Sequence, residues 1–130
     1  MEEKTKSWLF AVCDKDQNES EIASQYILEF YKTKGKQAEI NLFYDTQEII
    51  NAFRRQNNFT AVFIGMRSMD EVDAAWDLRK IAPKCSLVIM SDSGDFAMEG
   101  YRLDAFDYWL KPLDEKKIYK TLERLNKVFC

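Results

Sequence analysis

Residues 87–112 read LVIMSDSGDFAMEGYRLDAFDYWLKP. Leu87-Val88-Ile89-Met90 is wholly apolar, as a strand covered on both faces requires, and it ends at Ser91. Ser93-Gly94-Asp95 opens a short helix through Tyr101 and Arg102. A second run, Phe106 to Leu110, then ends at Lys111-Pro112. Two strands joined by a helix are the repeating unit of a parallel sheet with crossovers.

The same alternation runs outward in both directions. Upstream, Ala61-Val62-Phe63-Ile64 is a third strand stopping at Gly65. The helix after it, from about Asp70 to Ile81, buries Val72, Ala75, Trp76 and Leu78 and is stopped by Pro83. Earlier still, Trp8 to Cys13 is a first strand ending in Asp14-Lys15-Asp16. A helix from about Glu19 follows, with Ile22, Ala23, Tyr26, Ile27 and Phe30 at helical spacing, ending at Lys34-Gly35-Lys36. Ala38 to Phe43 alternates apolar with polar residues, which predicts an edge strand. Asp45 or Thr46 then caps a helix carrying Ile49, Ile50 and Phe53 that breaks at Asn57-Asn58. Downstream, Leu113, Ile118, Leu122, Leu125 and Phe129 mark a final helix. The whole reads as one α/β domain over residues 1–130, a (βα)5 doubly wound parallel sheet of five strands.

Composition narrows the functions such a domain can have. A chain of 130 residues with 46% hydrophobic and 32% charged residues suits one soluble domain with its own core. A net charge of −3, with no basic block, gives this domain no electrostatic reason to bind nucleic acid. No apolar run is long enough to cross a bilayer, and the N-terminus does not read as a signal peptide, so a cytoplasmic location is expected. There is no His, which removes His-based triads and most zinc chemistry. Cys13, Cys85 and Cys130 lack C-x-x-C spacing, and the first two read as buried, reduced thiols.

In a doubly wound sheet, ligands gather beyond the carboxyl ends of the strands. The residues at those ends are Asp14, Lys15 and Asp16, then Gly65, Ser91 and Lys111. Singly each is ordinary, since an Asp after a strand is most often a helix cap. Together they make a pocket suited to a phosphate and a cation.

The segment Ser91–Pro112 resembles the corresponding stretch of two-component response-regulator receiver domains, CheY-like in fold, and is most similar to those of LytTR-type regulators. There a hydroxyl ends the fourth strand, an acidic-aromatic-Ala sequence opens a short helix, and the fifth strand reads roughly D-Y-L-x-K-P. The resemblance implies the flavodoxin/CheY-like strand order 2-1-3-4-5. It also implies a site in which two acids after the first strand and an Asp ending the third hold Mg²⁺. That Asp accepts a phosphoryl group, and a hydroxyl and a lysine contact its oxygens. By position, Asp14 is the first acid, Ser91 the hydroxyl, Lys111 the lysine and Tyr108 the aromatic switch.

The pattern departs at two places. The acceptor position holds Gly65, and the second acid falls on Lys15, with Asp16 one residue further on. Met66–Asp70 also lacks the Met-Pro and Gly that follow the acceptor in the family. A glycine forms no acyl phosphate, and an ammonium and Mg²⁺ roughly 5 Å apart repel by on the order of 6–7 kcal/mol at an effective dielectric of about 20. The expectation is a vestigial pocket with no metal or cofactor, in a non-enzymatic receiver. Lys15 is then either a fixed internal cation partnered by Asp14 or Asp16, or simply solvated. Signalling would pass through a protein partner or a homodimer, over the fourth helix, fifth strand and fifth helix. The candidate residues there are Tyr101, Arg102, Asp107, Tyr108 and Lys117. Resemblance to LytTR-type proteins further implies a DNA-binding output domain beyond these residues.

Two other readings remain. Asp14-Lys15-Asp16 is similar to the D-x-D of haloacid-dehalogenase-type phosphohydrolases, with one Asp as nucleophile and the other as general acid–base. Alternatively, Ser91 and Lys111 hold a small anion.

Overall fold

The computed structural model of the chain describes residues 7–55 and 59–129. Strands and helices alternate along it: β1 (Ser7–Cys13), α1 (Gln17–Thr33), β2 (Gln37–Phe43), α2 (Thr46–Arg54), β3 (Ala61–Gly65), α3 (Met69–Ile81), β4 (Ser86–Ser91), α4 (Ala97–Arg102), β5 (Asp107–Leu110) and α5 (Glu115–Phe129). All neighbouring strands pair in parallel, in the order β2-β1-β3-β4-β5. The (βα)5 doubly wound sheet expected from the sequence is therefore the fold adopted. The helix break at Asn57-Asn58, the thiol of Cys130 and the N-terminal segment lie outside the described residues.

Side-chain alternation along the strands sorts the interior into two layers. On one face Ala11, Cys13, Val62, Ile64, Leu87 and Ile89 meet α2 and α3. On the other, Trp8, Phe10, Val12, Phe63, Val88, Met90 and Trp109 meet α1 and α5. The second layer is dense in rings. Phe63 stacks on Trp109 at 5.1 Å, and Phe10 meets Phe63 edge-on at 5.8 Å. Central β3 is buried at every residue, whereas β2 alternates exposed with partly buried positions, as an edge strand does.

Several boundaries differ from the sequence expectation for identifiable reasons. α1 begins at Gln17 because Asp16 is its N-cap, its carboxylate accepting from the N–H groups of Asn18 and Glu19 at 3.0 and 3.3 Å. α4 begins at Ala97 rather than near Ser93. The Ser91 hydroxyl accepts from Ser93 N–H and the Ser93 hydroxyl from Asp95 N–H, holding this stretch in turns that compete with helix. Trp76 is only half-buried, whereas Met66, in the short loop between β3 and α3, is fully enclosed.

At the opposite end of the sheet, Arg79 ties three segments together. Its guanidinium donates to the carbonyls of Leu103, Ala82, Pro83, Cys85 and Asp104 at 2.6–3.5 Å. That single side chain joins the end of α3, the turn into β4 and the turn into β5. No helix among the described residues is long and apolar enough to cross a membrane.

Candidate functional site

The carboxyl ends of β1, β3, β4 and β5 bring Asp14, Gly65, Ser91 and Lys111 together, as their order along the chain requires. Asp14 and Ser91 are 1% and 0% exposed, and the Lys111 side chain is 9% exposed. Both oxygens of Asp14 are engaged. Oδ2 accepts from Lys111 Nζ at 2.8 Å, and Oδ1 from the backbone N–H of Asp16 at 2.9 Å. This is a buried, charge-assisted pair, a class of contact that is short and strongly directional.

Lys15 is not the internal cation: it is exposed, and the ammonium that neutralises Asp14 comes from Lys111. Where the chain leaves β1, Asp14 is enclosed and its successor faces solvent, so Lys15 does not enter the pocket. Asp16 is spent on capping α1.

Gly65 closes the pocket floor. A Cβ built on it would lie 2.6 Å from Asp14 Cγ and 3.0 Å from Asp14 Oδ1, far inside contact distance. The residue at this position is thus required to be small by the place Asp14 occupies.

These residues do not fit the Mg²⁺ that the family resemblance implies. Mg²⁺ takes oxygen ligands in near-octahedral array. Asp14 has both oxygens committed, Asp16 caps a helix, Gly65 offers no ligand, and Lys111 places a positive charge at the centre. No group of three His, Cys, Asp or Glu among the described residues is arranged to hold a metal. The phosphohydrolase reading meets the same geometry, because Asp14 is enclosed and paired while Asp16 serves α1. An anion at Ser91 and Lys111 would have to compete with Asp14 for the ammonium.

A chain of contacts leads from this pocket toward α4. Lys111 N–H donates to Ser91 O at 2.8 Å. The Ser91 hydroxyl accepts from Ser93 N–H at 3.4 Å, and the Tyr108 hydroxyl donates to Ser93 O at 2.7 Å. Tyr108 is therefore turned inward and half-buried under α4. Gly100 allows this approach, since a Cβ there would stand 3.0 Å from Ile89 Cδ1 and 3.4 Å from the Tyr108 ring.

The other residues expected on the α4–β5–α5 face divide into two groups. Tyr101 is 81% exposed, and Arg102 pairs with Glu99 on its own helix, at 3.5 Å. Asp107, by contrast, is satisfied within the chain. Its carboxylate accepts from the Thr121 hydroxyl and Tyr108 N–H, and it lies 3.3 Å from both Lys117 Nζ and Arg124 Nη1. Partial burial works to raise its pKa, but the Thr121 hydroxyl, the Tyr108 N–H and the Lys117 ammonium outweigh that and hold it below the usual value. A carboxyl whose folded pKa is lowered adds stability above its unfolded pKa and loses it as pH falls through the folded one. The stability difference between the parent and Asp107→Asn is therefore expected to be full at pH 7 and to shrink below about pH 4. Urea unfolding of both proteins across pH 3–7 checks this, and a difference independent of pH would overturn it.

Three features escaped sequence reading. Glu71 is a buried carboxylate whose Oε1 accepts from Arg67 N–H at 2.6 Å, tying the short loop after β3 to the first turn of α3. The Ser68-Met69-Asp70-Glu71 spacing, that of a capping box, was the available signal. Ser93, the partner of Tyr108, and Met66 carried no comparable signal. Cys13 and Cys85 are free thiols, the first buried and the second half-buried. Burial, reinforced by Asp14 and Glu71, pushes the Cys13 thiol up to about 12, so it is inert at neutral pH.

No family model matches the chain. It is 31% identical over 110 residues to Protein MrkE of Klebsiella pneumoniae, covering 83% of this chain and 41% of that protein. It is equally 31% identical over 110 residues to the transcriptional regulatory protein YpdB of Escherichia coli K12, covering 83% of this chain and 45% of that one. The chain thus spans less than half the length of these relatives. The crystal structure of the response regulatory domain of protein mrkE from Klebsiella pneumoniae superposes with a TM-score of 0.79 at 26% identity, over 92% of this chain and 96% of that one. With its sheet order and this end-to-end likeness to a response regulatory domain, the chain belongs to the response-regulator receiver family.

Proposed function

We propose that this is a pseudo-receiver, a receiver domain that signals through protein–protein contacts without being phosphorylated on an aspartate. The observation that carries the reading is the state of the acceptor position: Gly65 has no side chain, and the nearest carboxylate is already paired with Lys111. The parts that would read a phosphoryl group, Ser91, Lys111 and Tyr108, are present and connected to one another without one. Such a site performs no chemistry. It holds one arrangement of the β4–α4 loop and offers a constant face to a partner.

That face is α4–β5–α5, met by a protein partner or a second copy of the chain. Its apolar residues are Met98, Tyr101 and Leu110, each more than half exposed, with Arg102 and Lys117 as charged neighbours. Exposed Met and Tyr side chains suit such a surface, because they bury much area and adapt to the opposing shape. The likeness to a protein named as a transcriptional regulator supports placing the domain in a LytTR-type transcription regulator of the cytoplasm. The DNA-binding part would lie outside these 130 residues. An acidic balance of −3 fits a domain that does not itself engage DNA.

Incubation with acetyl phosphate and Mg²⁺, followed by intact-mass measurement, tests the reading. The expected result is an unchanged mass. An acid-labile gain of one phosphoryl group would overturn it.

A further inference from the structure

Asp14 does more than survive from a disabled site. In the receiver pattern, two acids after the first strand, an aspartate ending the third and a lysine share this pocket. Here one carboxylate remains, and it stands where a side chain on residue 65 would have to pass, 2.6 Å from Cγ to the ideal Cβ position. It cannot simply swing away, because Lys111 holds one oxygen and Asp16 N–H the other. Around it the space is closed, with Asp14 1% exposed and Ser91 fully enclosed.

We infer that Asp14 fills, with its own carboxylate, both the space and the lysine contact that a side-chain carboxylate at position 65 would take, so the site admits one or the other but not both. The Asp14–Lys111 pair is then a resident charge pair in place of a regulated one. It anchors the end of β5 and, through Ser91 and Ser93, the inward position of Tyr108. This rests on reading the site as one that takes no phosphoryl group, and it adds that restoring an aspartate at position 65 alone does not restore a receiver.

Melting temperatures of five variants test it: Gly65→Ala, Asp14→Ala, Asp14→Ala/Gly65→Ala, Gly65→Asp and the exchange Asp14→Ala/Gly65→Asp. In the parent, Gly65→Ala is expected to lower Tm by roughly 5–10 °C. In the Asp14→Ala background the same change should cost nothing, or raise Tm slightly, because alanine then loses less chain entropy than glycine. The exchange variant should melt above Asp14→Ala and above Gly65→Asp, since the carboxylate introduced at position 65 would regain the contact with Lys111. Gly65→Asp alone should gain no mass with acetyl phosphate and Mg²⁺.

Equal losses for Gly65→Ala in both backgrounds would overturn the inference. So would an exchange variant no more stable than Asp14→Ala, or phosphorylation of Gly65→Asp alone. If Gly65→Asp fails to fold, the alanine pair and the exchange variant still decide. The two ideas fail separately: phosphorylation of the unaltered chain removes the pseudo-receiver reading, whereas additive melting shifts remove only this one.

Discussion

Replacing Lys111 by Met is expected to destabilise the domain by about 3–5 kcal/mol, the usual cost of leaving one member of a buried ion pair without its partner. Asp14 would keep the N–H of Asp16, which satisfies one oxygen but supplies no positive charge. The methionine preserves most of the lysine stem, so packing changes little and the loss reports on charge. Asp14→Asn/Lys111→Met should then recover at least half of the stability, because a pair of neutral groups of similar volume is not penalised as a lone charge is. Urea unfolding of the two variants beside the parent is sufficient. A loss below about 1 kcal/mol for Lys111→Met would mean that water reaches the Asp14 carboxylate and that the pair is electrostatically weak.

Trp109→Ala is expected to cost about 3–5 kcal/mol, enough to lower Tm by roughly 10–20 °C. The ring is 1% exposed and stacked on Phe63 at the centre of the α1–α5 layer. Its Nε1 also donates to the Thr121 hydroxyl at 2.9 Å, and that hydroxyl donates onward to Asp107. Removing the indole therefore opens a cavity and loosens the strand that carries the output face. Trp109→Phe separates the two effects: it keeps most of the volume, so it should cost less than half as much while still losing the hydrogen bond. Equal losses for the two variants would show that the bond to Thr121, not the packing, dominates.

The fold was legible because each central strand of this sheet is an unbroken apolar run ending at a polar or small residue. Ala61–Gly65 and Leu87–Ser91 leave no room for a helical reading, being too short and too uniformly apolar. The site was legible as a set of residues, since strand ends in a doubly wound sheet must converge, and Asp14, Ser91 and Lys111 do. What sequence could not supply was which side chain meets which. Asp14 and Lys111 are 97 positions apart, and their pairing is a product of the strand order. Lys15 was ambiguous for a related reason: where a chain leaves a strand, a shift of one residue exchanges inside for outside. Asp16, followed by polar Gln17 and Asn18, was a helix cap all along, the ordinary role of an Asp at that place.

Arg79 gives the two ends of the sheet different characters. At the carboxyl end of the strands, order depends on an ion pair between two buried side chains, Asp14 and Lys111. At the other end a cation is solvated by carbonyl dipoles of the backbone itself, from Leu103, Ala82, Pro83, Cys85 and Asp104. An arginine stays charged at any ordinary pH, and peptide carbonyls do not titrate, so this clamp is indifferent to acidity. The turns entering β4 and β5 share that single guanidinium, so their opening in native-state hydrogen exchange is expected to be coupled. The molecule thus fastens one end of its strands with a cation held by backbone carbonyls and the other with a pair of opposite side-chain charges.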